Sequence, residues 1–173
     1  SGHNRITTTI EDLSTDGIGI TGYGISSYNS EQSELIVNSS TIDTNITSST
    51  STRAFAVAIE ESPVAYISIE DSILSATASG RKYVFASSLK SAELYPTFNE
   101  LGHIQISNSS IEAHAENTGA TEDSHFAVTY GLLSNTANSL TVSGTSITAI
   151  SQSTDTSRAT AISHESYQPI ANI

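Results

Sequence analysis

Two carboxylates, Asp43 and Glu112, occupy the same place in two copies of a recurring segment, "STIDTNI" and "SSIEAHA". Paired carboxylates about 5–10 Å apart are the equipment for acid–base cleavage of a glycosidic bond. Ser75 and Thr148 hold the same place in the other copies. If successive copies stack as neighbouring strands, Asp43 and Glu112 lie two spacings, roughly 10 Å, apart. No basic or aromatic cluster accompanies them, and the outward positions one residue into each copy (Ile36, Ser68, Gln105 and Thr141) bear no acid. The expectation is therefore a protein that is not an enzyme. Glu60-Glu61 and Glu122-Asp123 offer calcium-type oxygens outside any EF-hand or glycine-aspartate nonapeptide. His3, His103, His114, His125 and His164 fall at unrelated offsets, without zinc-ligand spacing, and read as surface residues. With no cysteine there is neither a thiol nucleophile nor a disulfide framework, and neither metal nor cofactor is expected.

The elements that position these groups are legible as a repeat. Leu35, Ile67, Ile104 and Leu140 start equivalent units at intervals of 32, 37 and 36 residues. Two residues on stand Val37, Ile69, Ile106 and Val142; five on, Ser40, Ser72, Ser109 and Thr145; seven on, Ile42, Leu74, Ile111 and Ile147. An interval of two is a strand's, because only there do alternate side chains share a face. Each unit thus opens with a short strand, bends at Asn38-Ser39, Glu70-Asp71, Ser107-Asn108 or Ser143-Gly144, and runs into a second strand. A third ends in "GYGI" (22–25), "AVAI" (56–59), "TYGL" (129–132) or "ATAI" (159–162), with "VFAS" (84–87) as a weaker match.

Three strands per unit, each stacked on its equivalent in the next, predict an all-β fold: a right-handed, single-stranded parallel β-helix. Right-handedness follows from the hand of parallel crossover connections. The array holds about five coils in a single domain over 1–173, starting near 35, 67, 104, 140 and 170 after an incomplete coil at 6–34. Like residues then form ladders, Ile42-Leu74-Ile111-Ile147 in the core and Ser40-Ser72-Ser109-Thr145 at the bend. The hydroxyls are expected to turn inward and bond a backbone group or the next coil; the alternative is a solvated turn. For the third strand, the Tyr23/Ile25, Val57/Ile59 and Tyr130/Leu132 set is expected to face in rather than the interleaved Gly/Ala column. A β-sandwich is the runner-up, weakened by the lack of Asn-Gly or Asp-Gly hairpin turns between the paired strands.

Composition agrees with a thin core. Ser and Thr fill 54 of 173 positions and Met and Trp are absent, so the interior must be narrow enough for Ile, Val and Ala to fill it. A net charge of −12 disfavours nucleic acid and anionic membrane, and no apolar run approaches the roughly 20 residues that cross a bilayer. The insertion "KSAELYPTFNELG" carries Tyr95, Phe98 and Glu100, the candidate binding residues; the alternative is a hydrophobic lid folded back on the coil. Because the pattern stops mid-unit near Ile170, a fragment of a longer array, or ends that meet another subunit, is expected.

The units share [LI]-x-[VI]-x-x-[ST]-x-[IL]-x-[AT] at 35–44, 67–76, 104–113 and 140–149. They resemble the coils of right-handed β-helix passenger domains of bacterial autotransporter-type surface adhesins. That resemblance implies a cell-surface or secreted stalk or adhesive module. Its partner would be a host-surface protein or glycan, or a sister molecule through self-association. The rival reading is a polysaccharide-processing β-helix enzyme or a phage tailspike-type fragment.

Overall fold

The computed structural model describes residues 3–12, 19–28, 34–49, 53–62, 66–91, 99–119, 126–135 and 137–164, the side chains of 12, 28, 62 and 99–101 excepted. Its elements are all strands, in successive tiers of three. The first tier is β1 (Asn4–Asp12), β2 (Ile20–Tyr28) and β3 (Glu34–Asn38). The second is β4 (Ser40–Ser48), β5 (Arg53–Ser62) and β6 (Tyr66–Glu70). The third is β7 (Ile73–Gly80), β8 (Tyr83–Ser91) and β9 (Asn99–Ser107), and the fourth β10 (Ser110–Asn117), β11 (Phe126–Ser134) and β12 (Ala137–Ser143). Above these lie β13 (Ser146–Gln152) and β14 (Thr156–His164).

Every third strand pairs in parallel with the next. Sheet A runs β1-β4-β7-β10-β13, sheet B β2-β5-β8-β11-β14 and sheet C β3-β6-β9-β12. Three parallel sheets of stacked strands are consistent with a β-helix or solenoid. In sheet C, Leu35, Ile67, Ile104 and Leu140 pair in one column and Val37, Ile69, Ile106 and Val142 in another. In sheet A the column is Ile6, Ile42, Leu74, Ile111 and Ile147. Within the middle tiers Ile42, Leu74, Ile111, Ile67 and Ile104 have at most 1% of their surface exposed, as expected where each apolar row is covered from both sides.

The bend between sheets C and A turns on a single residue in the left-handed region, which redirects the chain without a hairpin. Ser39, Asp71, Asn108 and Gly144 sit there at φ 46°, 49°, 49° and 57°. Asp and Asn enter this region more readily than most residues, and glycine enters it without strain. The three side-chain-bearing residues each donate their N–H to the tier above: Ser39 to Glu70 O, Asp71 to Ser107 O and Asn108 to Ser143 O, at 3.0–3.2 Å.

Sheet B departs from expectation in two ways, both set by the width of the interior. Gly22, Ala56, Ala86 and Thr129 form one register column, and it faces inward. A Cβ on Gly22 would lie 2.3 Å from Ile46 Cδ1, and one on Gly131 would lie 2.4 Å from Ile147 Cγ2. Sheets A and B are therefore so close that bulky side chains of A fill the space that small residues of B leave. Tyr23 and Tyr130, expected inside, instead lie on the outer face; Val57 shares their register column but is only 3% exposed. Only Ile25, Ile59 and Leu132 of that set turn in; Ala58 and Ile59 are both fully buried in the core, so strict alternation stops there. The stretch of β8 in register with "AVAI" is Ala86 to Leu89, two residues beyond "VFAS". The long connection is accordingly counted from Leu89 to Ile104, positions equivalent to Ile59 and Ile67.

Candidate functional site

Of the residues expected to bind, Tyr95 and Phe98 lie outside the described residues. Glu100 belongs to β9, and only its backbone is described. Ile170, the expected start of a fifth unit, and His125 also lie outside them.

The Ser/Thr column sits at the entry to sheet A, immediately after the left-handed residue. The hydroxyls of Ser72, Ser109 and Thr145 each accept one bond and donate another. Ser72 Oγ accepts the N–H of Ser40 at 3.1 Å and donates to Glu70 O at 2.7 Å. Ser109 Oγ accepts from Ser72 N–H at 3.1 Å and donates to Ser107 O at 2.7 Å. Thr145 Oγ1 accepts from Ser109 N–H at 3.3 Å and donates to Ser143 O at 3.0 Å. Backbone groups that the bend removes from the sheet ladder are thereby satisfied, tier after tier.

Asp43, Ser75, Glu112 and Thr148 form one register column of sheet A, so the two carboxylates are two strands apart. Each has its own neighbour: Arg5 lies 4.0 Å from Asp43, and Ser110 Oγ donates to Glu112 at 3.2 Å. His3 is exposed, as expected, whereas His103, His114 and His164 are partly buried. His103 stacks on Tyr66 with ring centroids 5.9 Å apart and meets Ser139 Oγ through Nδ1. His114 and His164 each keep a buried ring nitrogen without a partner, and burial lowers the pKa of His164. Among the described residues no three His, Asp or Glu side chains group as a metal site requires.

Sequence reasoning missed the outer face of sheet B. Because Gly and Ala occupy the inward positions, the intervening side chains stand outward in register. One column is Arg53, Tyr83, Phe126 and Thr156; the next is Thr21, Phe55, Phe85, Val128 and Arg158; the third is Tyr23, Val57, Ser87, Tyr130 and Thr160. Six of the chain's eleven aromatic residues (seven Tyr and four Phe) thus share one surface. Tyr83 and Phe126 stack nearly parallel, 5° between planes and 5.7 Å between centroids. Phe85 meets Phe55 edge-on at 5.7 Å and Tyr130 at 6.0 Å. Arg53 lies 5.9 Å over the Tyr83 ring and Arg158 5.8 Å over that of Tyr130, both within cation–π range.

Charge is segregated in the same way. These three outward columns contain no Asp or Glu among the described residues, whereas the outer face of sheet A carries Glu11, Asp43, Glu112 and Glu116. At the margin of the aromatic face, Lys90 forms an ion pair with the buried Glu60. A pocket of about 180 Å³ opens there, lined by Thr21, Tyr23, Phe55, Val57, Phe85 and Lys90. A signal for this surface was present in "KYVFA" and "HFAVTYG", where an aromatic or Val alternates with Ala, Val or Thr. An interior too narrow for phenyl rings obliges such rings to take the outer parity.

No family model, curated protein or solved structure matches the chain.

Proposed function

We propose that the chain is a right-handed, single-stranded parallel β-helix of about five coils, and that it serves as a surface-exposed adhesive module rather than an enzyme. The handedness follows from the strong preference of parallel crossovers. The observation that carries the functional reading is the aromatic strip of sheet B: Tyr83 and Phe126 are 41% and 37% exposed, on a face shared with four more rings. Exposed apolar patches with aromatic and Arg side chains are the usual composition of binding surfaces, because flat rings contribute contact area at little cost in conformational entropy. A host-surface protein, a glycan or a sister molecule is the partner class. Presentation on a bacterial surface, or secretion, accords with the resemblance to autotransporter passengers. Catalysis by Asp43 and Glu112 is disfavoured because each is occupied locally, by Arg5 and Ser110, on a face without aromatics.

The test is saturable binding of the purified chain to host cells and to itself. Phe85→Ser with Tyr130→Ser should abolish it, while Asp43→Asn with Glu112→Gln should leave it intact. Turnover of a polysaccharide that disappears in the carboxylate variant would replace the adhesive reading with the enzymatic one.

A further inference from the structure

We infer that the outer face of sheet B binds a carboxylate-bearing glycan chain laid along the stacking direction; this rests on, and narrows, the adhesive reading above. Three features of that face point to this chemistry. First, rings stand on four successive strands of the sheet, β2, β5, β8 and β11, so the face offers aromatic contacts over several strand spacings, which suits a polymer. Second, the rings stay accessible. Tyr83 and Phe126 stack on one another and still expose 41% and 37% of their surface, apolar area against which the C–H face of a pyranose can pack. Third, the charge is selective. In a chain of net charge −12, the three columns bear two arginines and no acid.

The arginines flank the central rings. Arg53 stands on β5 and Arg158 on β14, strands about 14 Å apart at ~4.8 Å per strand, and they reach toward each other over Tyr83 of β8 and Tyr130 of β11. Each guanidinium lies within cation–π range of a ring, Arg53 of Tyr83 and Arg158 of Tyr130, and both side chains are exposed, so the N–H fork can meet a carboxylate, which it matches in bidentate geometry. A short oligosaccharide spans the interval, its acidic units at the arginines and its ring faces on the aromatics between them.

Binding of the full chain to immobilised alginate, dextran and dextran sulfate tests this, with cell binding measured in parallel. The expected result is saturable binding to alginate, weakened by added salt, and none to dextran. Arg53→Gln with Arg158→Gln should weaken it by about tenfold or more, the scale of losing charge-assisted hydrogen bonds. Tyr83→Ser with Phe126→Ser should weaken it as well, and Asp43→Asn should not. Circular dichroism and urea midpoints establish that these surface variants remain folded. Equal binding to dextran, binding to dextran sulfate alone, or indifference to the arginine variant would overturn the inference. Cell binding without alginate binding would sink the glycan assignment and leave the adhesive reading standing; alginate binding without cell binding would do the reverse.

Discussion

Removing one hydroxyl from the bend ladder should destabilise the protein by an amount set by its place in the stack. Ser72 is 2% exposed and its Oγ makes two bonds of ordinary length, accepting from Ser40 N–H and donating to Glu70 O, with Val37 O a further acceptor at 3.5 Å. Ser72→Ala removes both, at about 1 kcal/mol each, and leaves the Ser40 N–H without that acceptor, adding roughly another 1 kcal/mol; the sum is about 2–3 kcal/mol. Ser109→Ala should cost as much, because it strips the acceptor from the buried Ser72 N–H. Thr145→Ala should cost less, about 1 kcal/mol, since its bond from Ser109 is longer and the site is more open. Ser40→Ala loses only an exposed bond to Asn38 O, about 0.5 kcal/mol. Urea unfolding reads the series directly: at a slope of ~2 kcal/mol/M, Ser72→Ala lowers the midpoint by about 1 M with the slope unchanged. A midpoint for Ser72→Ala no lower than that for Ser40→Ala would refute the ladder as a source of stability.

Gly131→Ala places a methyl 2.4 Å from Ile147 Cγ2 and 2.6 Å from Ala161 O, and should cost about 1–3 kcal/mol in thermal unfolding. Ile147→Ala should cost less in that background than in the parent, since it removes one of the two clashes. Lys90→Met takes the ammonium away from Glu60, which is 1% exposed, and should destabilise by about 1–3 kcal/mol. Adding Glu60→Gln should recover much of that loss, as paired urea midpoints would show. Burial holds the pKa of His164 below its ordinary 6.5, so the unfolded chain takes the proton more readily than the folded one. Stability is therefore complete above pH 6.5 and falls as pH drops from 6.5 toward the lower folded value. His164→Gln should flatten that stretch of the urea midpoint against pH.

Much of the architecture was legible in the sequence because ladders of like residues repeat. Leu35, Ile67, Ile104 and Leu140 shared a register column before any coordinate did, since a period of two within each unit and of thirty-odd between units is what stacked strands require. The bends were legible as polar dipeptides, though not their conformation; the left-handed backbone at Ser39, Asp71 and Asn108 shows only in the fold. The aromatic face of sheet B was less legible: its rings were divided between an expected core and a misaligned "VFAS", while Tyr95 and Phe98 of the insertion lie outside the described residues.

Alternation in the chain determined which side chains travel together: period alone could not say whether Tyr23 or Gly22 faces in, but Tyr23, Val57 and Tyr130 were bound to share one side of their sheet. Which side that was, only the tertiary structure decided. A strand's period is blind to the distance of the sheet opposite. Ile46 and Ile147 of sheet A come so near that Gly22 and Gly131 have no room for even a Cβ, and this contact, between residues far apart in sequence, turns the aromatics out to solvent.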